Sequence, residues 1–345
     1  MMTRKHRILA LVALLACALA ASAGEKKRVV LLGPGTYYNP IGAAEIKNFE
    51  ANAPGVRIVA PDQAHLMEEL ADADGALGQI TPEMLKAAKK LQWVQVFSAG
   101  VEPYLFPEMV NSQVKLTNCK IAQAPEIADH AFALLLSITR ELHRIIPRRT
   151  QEEWTTRSYS PLELRGKTAV IIGMGGIGTE IAVRAWAFGM KVIGVDPKDI
   201  SPTPMWSYTV GPDRLDEVLP EADVVFVAAP HTRESEKMVS AKQFSLIKKG
   251  GFFICVSRGK LYDAMALAQA LESKHLAGAG LDVTDPEPLP KGHPLWKMEN
   301  VIITPHIAGR SDGERARYLA LFQENLRRFG AGEPLIYVVD KQKGY

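Results

Sequence analysis

The sequence predicts an α/β protein with parallel sheets, divided into two domains. Three observations point there. Short apolar runs of strand length alternate along the chain with stretches of helical periodicity, the pattern of βα units. A glycine-rich turn, Gly173-Met174-Gly175-Gly176-Ile177-Gly178, stands between one such run and the helix after it. The chain has 345 residues, 47% of them hydrophobic, enough for two cores of ordinary size.

The first series has strand-like runs at Arg28–Leu32, Val56–Ala60, Gly75–Leu77 and Trp93–Phe97. Between them, Thr81 to Lys90 reads as a helix, with Thr81 as N-cap and Pro82 at the first helical position, where a missing N–H costs nothing. A long helix is expected from about Pro125 to Ile146, with Ile127, Ala131, Leu134, Leu135 and Ile138 on one face and Pro147 ending it. A polar stretch from Arg148 to Ser160 separates it from a second series, with strands at Thr168–Ile172, Lys191–Val195, Asp223–Ala228, Gly251–Val256, Gly278–Leu281 and Val301–Ile303. A last helix, about Asp312 to Phe329, is expected to pack back on the first domain and make it discontinuous.

The glycine turn is specific because of its context. It follows the strand Thr168–Ile172 and opens a helix, as a dinucleotide-binding fingerprint must. Gly173 permits the tight turn, Gly175 lets the backbone approach a pyrophosphate, and Gly178 allows close helix–strand packing. Gly176 and Ile177 begin the helix whose free N–H groups and partial positive charge face the phosphates. Eighteen residues past Gly178 the next strand ends in Asp196, whose carboxylate can accept from both ribose hydroxyls and would repel a 2′-phosphate. NAD is therefore expected over NADP, with Lys198 softening the preference; the plainer reading of Asp196 is a strand-end turn residue. Gly33-Pro34-Gly35 also follows a strand, but Tyr38 stands where the third glycine is needed, so it reads as a loop of the other domain.

Three polar residues, Arg258, Glu287 and His306, lie at or just beyond the ends of apolar runs in the second series. Ligands of open α/β sheets bind at such strand ends. A cation, a carboxylate and an imidazole meeting there would bind an anion and move a proton. Singly, each has a plain alternative as a surface charge, a loop carboxylate or a helix-entry residue; behind a dinucleotide motif the joint reading is stronger. Trp154, Tyr104 and Tyr262 could line a substrate pocket or simply pack. The other histidines, His130 among them, read as structural or solvated.

The formal charge of +3 is concentrated at the start of the chain. Arg4, Lys5 and Arg7 precede an uncharged stretch from Ile8 to Gly24 closed by Ala21-Ser22-Ala23, the tripartite pattern of a signal peptide cut after Ala23. Removing residues 1–23 leaves 38 basic and 38 acidic residues, so charge gives no reason to expect nucleic acid or an anionic membrane. The competing readings are an uncleaved anchor, for which 17 uncharged residues are short, and a lipoprotein cut before Cys17. No stable membrane span is expected after cleavage. Localisation is expected to be periplasmic or secreted, or cytoplasmic if the signal is unused. Of the remaining cysteines, Cys119 and Cys255, the second falls within a buried strand, and no metal-binding spacing is present.

Taken together, Leu164-Arg165-Gly166-Lys167-Thr168, the glycine motif, Val256-Ser257-Arg258-Gly259, Ala277 through Val283, Pro286-Glu287-Pro288-Leu289 and Thr304 through Gly309 resemble the D-isomer-specific 2-hydroxyacid dehydrogenases. The likeness covers nearly all of the chain after the leader. It implies two Rossmann-like/flavodoxin-like domains with parallel sheets and a cleft between them: 123–308 as the NAD-binding domain, and 24–122 plus 309–345 as a discontinuous substrate domain. It implies Arg258 as the substrate-binding arginine, Glu287 and His306 as the catalytic pair, and Asp282 near the nicotinamide carboxamide. Pro230, Thr232, Val256 and Ser257 would line the cofactor's path, and the backbone amides of Ala99, Gly100 and Val101 would hold the substrate carboxylate. A homodimer is also implied. The chain departs from the family in having Cys255 where Asn is usual, Lys260-Leu261-Tyr262-Asp263 where Gly-Leu-Val-Asp is usual, and Ala128-Asp129-His130 where Ala-Glu-His is usual.

The chemistry so implied is reversible hydride transfer between NAD and C2 of a 2-hydroxy/2-oxo acid, a small one of hydroxypyruvate or glyoxylate type. Arg258 would hold carboxylate and carbonyl oxygens with its planar fork. His306 would give and take the proton, with Glu287 on its other ring nitrogen fixing the tautomer and favouring the protonated ring. The rival expectation is an exported, non-catalytic dinucleotide- or 2-oxoacid-binding protein of the same fold; phosphite oxidation is a further enzymatic alternative.

Overall fold

A computed structural model describes residues 25–33, 41–154 and 158–345. The leader, Cys17 and the turn residues Pro34 to Tyr38 lie outside the described residues. The chain forms two compact units, one running up to Cys119 and completed by Arg315–Gln342, the other Lys120–Glu314 with Lys343–Tyr345.

The first unit is a parallel sheet of order β2-β1-β3-β4-β5, with β1 Lys27–Leu31, β2 Val56–Val59, β3 Gly75–Leu77, β4 Trp93–Gln95 and β5 Lys115–Thr117. Its helices are α1 Ala43–Asn52, α2 Leu66–Ala71, α3 Pro82–Ala87 and α4 Pro107–Asn111. Thr81 caps α3 by accepting from the Met84 N–H at 3.3 Å, with Pro82 at its first turn. Strands buried on both faces read as continuous apolar runs, which is why Val29 and Val30 are both fully buried. The C-terminal helix α11, Glu314–Ala331, returns to this sheet and sets Phe322 edge-on against Phe97 and Phe329 at a tilt against Trp93.

The second unit has seven parallel strands in the order β12-β11-β10-β9-β6-β7-β8. These are β6 Thr168–Ile172, β7 Lys191–Val195, β8 Tyr208–Val210, β9 Val224–Val227, β10 Gly251–Cys255, β11 Leu276–Leu281 and β12 Val301–Ile303. Its helices are α5 Ala124–Thr139, α6 Leu142–Arg148, α7 Gly176–Ala187, α8 Leu215–Val218, α9 Ala241–Leu246 and α10 Ala264–Glu272. Side chains alternate across the sheet. Val170, Ile172, Val225, Val227, Phe253 and Cys255 enter one core. Ala169, Ile171, Val224, Phe226, Phe252 and Ile254 enter the other, beneath α5. The direction of winding reverses between β6 and β9, so the carboxyl ends of these two strands form the topological switch point where such sheets bind ligands.

Two details differ from the sequence expectation. The long helix ends at Thr139 and not at Pro147: Glu141 turns left-handed (φ 56°), the His143 imidazole bonds the Ser137 carbonyl at 2.9 Å, and a separate helix α6 contains Pro147. The apolar face that buries α5 stops at Ile138, whereas Leu142, Ile145 and Ile146 of α6 are exposed, so no core contact holds the helix straight through the break. Strands β5 and β8, at sheet edges and three residues each, were not expected; runs that short carry no periodicity.

Candidate active site

The glycine turn sits at the switch point. Gly173 has φ +93°, and a Cβ there would lie 2.5 Å from the Ala229 nitrogen, so only glycine lets this turn meet the loop after β9. A Cβ on Gly178 would run into the Gly173 carbonyl oxygen, whereas one on Gly175 would meet nothing within 4 Å. Gly173 thus seats the turn against the loop after β9, Gly178 closes the turn on itself, and Gly175 leaves an open backbone face. The first-turn N–H groups of α7 have no intrahelical acceptors and a partial positive charge. An open backbone face at Gly175 beside free N–H groups at a helix start suits the size and charge of a dinucleotide pyrophosphate.

Asp196, at the end of β7, accepts from the Met174 N–H at 2.9 Å with one oxygen and from the Lys198 N–H at 2.9 Å with the other. The carboxylate therefore fixes the glycine turn against β7, and with about four acceptor positions it retains capacity for ribose hydroxyls. Pro230 and Thr232 lie in a turn after β9 held by Ser235, whose hydroxyl donates to the Pro230 carbonyl at 2.9 Å and accepts from the Thr232 N–H at 2.8 Å.

Arg258 follows β10 through Val256 and Ser257, and one of its guanidinium nitrogens donates to the Ser257 carbonyl at 2.7 Å. A Cβ on Gly259 would overlap the Thr284 carbonyl group, so this glycine brings the arginine's turn against the segment carrying Glu287. Cys255, in the position where the family usually has Asn, is fully buried, and burial pushes its thiol up to about 12; it is inert core.

Glu287 and His306 meet: the His306 Nδ1 lies 2.8 Å from a Glu287 carboxylate oxygen, and the other oxygen accepts from the Thr284 N–H at 3.2 Å. Burial pushes the Glu287 carboxyl up, but the His306 hydrogen bond and charge, the Thr284 N–H and the positive charge of Arg258 outweigh it and hold the group below its ordinary value. A carboxylate only accepts, so it assigns the proton to Nδ1. Nε2, on a half-exposed ring, has no partner among the described residues and is open to give or take a proton.

The backbone of His306 is itself unusual, with φ 53°, a conformation that costs of order 1 kcal/mol or more in a non-glycine residue. Asp282 overdetermines it. Its carbonyl accepts from the His306 N–H at 2.9 Å. Its carboxylate, 1% exposed, accepts from the Thr304 hydroxyl (2.6 Å) and from the Ile307 (3.0 Å) and Ala308 (2.9 Å) N–H groups. Thr304 spends its single hydroxyl proton on Asp282, so the His130 Nε2 at 2.8 Å must be the donor to the Thr304 oxygen. His130, Thr304 and this function of Asp282 were missed from the sequence; the available signal was His130 itself, which keeps the histidine of the family's helix motif although Asp129 replaces its usual Glu.

In the first unit, Ala99, Gly100 and Val101 form the loop after β4. Of the aromatic residues weighed as pocket candidates, Tyr262 is buried with its hydroxyl on the Val283 carbonyl at 2.9 Å, Tyr104 is buried, and Trp154 is 97% exposed.

Fold and site define a dinucleotide-dependent α/β protein able to bind an anion and transfer a proton. The family model for the D-isomer specific 2-hydroxyacid dehydrogenase NAD binding domain matches residues 132–308. A glyoxylate reductase of Korarchaeum cryptofilum is 32% identical over 285 residues, covering 79% of this chain and 84% of that one. A solved D-isomer specific 2-hydroxyacid dehydrogenase family protein from Aeromonas salmonicida superposes with a TM-score of 0.77 at 30% identity, covering 92% of this chain and all of that one. An NADPH-dependent glyoxylate/hydroxypyruvate reductase from Sinorhizobium meliloti, solved with NADP and sulfate, gives 0.76 at 27% identity, covering 93% and 100%. The chain belongs to the D-isomer specific 2-hydroxyacid dehydrogenase family. It is accordingly an NAD(P)-dependent 2-hydroxyacid oxidoreductase.

Proposed function

We propose that this enzyme interconverts a small D-2-hydroxy acid and its 2-oxo acid, of glyoxylate or hydroxypyruvate type, with NAD as the preferred coenzyme. The observation that carries the reading is the 2.8 Å Glu287–His306 pair with its Nε2 open, on the same strand-end edge as the glycine turn. The coenzyme, when bound, supplies or accepts the hydride at C2. Gly173, Gly175, Gly176, Ile177 and Gly178 hold its pyrophosphate and Asp196 its ribose hydroxyls; Pro230, Thr232, Val256, Ser257 and Asp282 border its path. Arg258 binds the substrate's oxygens and stabilises charge developing on the carbonyl. His306 protonates that oxygen from Nε2 in reduction and removes the proton in oxidation, while Glu287 holds Nδ1–H. The first unit is the substrate domain, its Ala99, Gly100 and Val101 amides receiving the carboxylate. The likeness to glyoxylate reductases supports the small substrate, and the acidic Asp196 supports NAD.

Leu142, Ile145 and Ile146, exposed at helical spacing on α6, support a homodimer through this face. The leader pattern of residues 1–23 supports export, and it also keeps alive a second reading, a binding protein without turnover, since free NAD is scarce outside the cytoplasm. Fractionation with N-terminal sequencing tests export: a chain cut after Ala23 is expected, and an uncut cytoplasmic chain would remove the second reading's support. Mature protein mixed with NADH or NADPH and a panel of 2-oxo acids tests the activity. Oxidation of NADH with glyoxylate or hydroxypyruvate is expected; coenzyme binding with no turnover across the panel would favour the binding protein.

A further inference from the structure

We propose that Ser98 and Asn118 are positioning residues for the substrate carboxylate, setting the peptide planes of the loop after β4 so that three successive N–H groups form an anion cradle. This rests on the reading that the loop receives the carboxylate. The first unit ties down three consecutive carbonyls. The Ser98 carbonyl accepts from the Cys119 N–H at 2.9 Å. The Ala99 carbonyl accepts from the Asn118 side-chain nitrogen at 2.7 Å. The Gly100 carbonyl accepts from the Ser98 hydroxyl at 2.6 Å.

In a trans peptide the C=O and N–H of one plane point in opposite directions. Fixing these three carbonyls therefore directs the N–H groups of Ala99, Gly100 and Val101 away from their anchors. None of the three has an acceptor among the described residues. Val101 is only 2% exposed, and a buried backbone donor without a partner is rare and costs of the order of a lost hydrogen bond. Successive backbone N–H groups with no internal acceptor form a concavity that binds anionic oxygens. Asn118 carries a cost of its own: at 2% exposure its side-chain oxygen is buried and has no donor. Its only hydrogen-bonding side-chain atom is the one that sets the Ala99 peptide, as expected of a residue kept for that orientation.

The test is steady-state kinetics with glyoxylate and NADH, together with the Kd of oxalate, a non-reacting carboxylate probe, for the enzyme–NADH complex. Asn118→Ala, Asn118→Asp and Ser98→Ala are expected to raise the glyoxylate KM and the oxalate Kd about ten- to hundredfold, the range for a lost hydrogen bond to a charged group. Asn118→Asp, which sets an oxygen against the Ala99 carbonyl, should be the worst of the three. The KM for NADH should stay within about twofold, and kcat should fall less than KM rises. Ser98→Thr, which keeps the hydroxyl, should restore oxalate binding. Should the buried Asn118 variants fail to fold, the pair Ser98→Ala and Ser98→Thr on a half-buried position decides alone. Folded Asn118 and Ser98 variants with wild-type glyoxylate KM and oxalate Kd would overturn the inference while leaving the proposed activity standing. A wild-type enzyme that neither reduces 2-oxo acids nor binds oxalate would overturn both.

Discussion

Replacing Asp282 with Asn changes one atom in a side chain that is 1% exposed, so no cavity opens and only hydrogen bonding is altered. The carboxylate accepts three bonds, from the Thr304 hydroxyl, the Ile307 N–H and the Ala308 N–H. However the amide is turned, its NH₂ replaces an acceptor that faces a donor. In the milder arrangement the amide oxygen keeps Thr304 and Ile307, and the buried Ala308 N–H is left opposite another donor. One lost charge-assisted bond and one unsatisfied donor together cost about 3 kcal/mol, roughly a 150-fold shift in the folding equilibrium. The left-handed backbone of His306 loses part of what holds it, and a displacement of about 1 Å at the imidazole costs on the order of a hundredfold in kcat. Urea unfolding should therefore show a lower midpoint at unchanged m-value, and NADH oxidation with glyoxylate a kcat reduced about a hundredfold. An Asp282→Asn protein with the wild-type midpoint and kcat would refute the assignment of this carboxylate as the clamp of the His306 loop.

Glu287→Gln keeps an acceptor for the His306 Nδ1–H but removes the charge, and kcat should fall about tenfold or more. Glu287 is held below its ordinary 4.5 in the folded protein, so its contribution to stability is present above that value and lost as pH falls through the depressed one; the stability gap between wild type and Glu287→Gln, followed by urea unfolding, should close on acidification. Gly178→Ala, whose Cβ would strike the Gly173 carbonyl oxygen, should lower Tm and NADH affinity together, whereas Gly175→Ala, whose Cβ meets open space, should weaken NADH binding at unchanged Tm; calorimetry with NADH titration separates the two. Asp196→Ser should reduce the preference for NADH over NADPH, measured as the ratio of kcat/KM values, by about tenfold or more, since like charges no longer meet at the ribose.

How much was legible in the sequence depended on range. Gly173 to Gly178 and the strand before them are contiguous, so local chemistry sufficed to read a dinucleotide turn and to place Asp196 at the end of the neighbouring strand. Arg258, Glu287 and His306 were found as strand-end residues because parallel sheets gather such ends on one edge. The break at Glu141 was not legible, since a helix periodic through Ile138 continues in sequence pattern while its core contacts stop. Nor were the partnerships of His130 with Thr304, 174 residues apart, or of Asn118 with Ala99, which exist only because β-strand order brings the chain back. The motif around His130 marks the residue but not its partner, and an asparagine after a three-residue strand offers no local pattern to read.

The central claim is that His306 moves the proton. His306→Ala, assayed with glyoxylate and NADH beside a direct titration of NADH, is predicted to lower kcat by about a hundredfold or more while leaving NADH affinity within about twofold. A His306→Ala enzyme that retains full kcat would contradict the account.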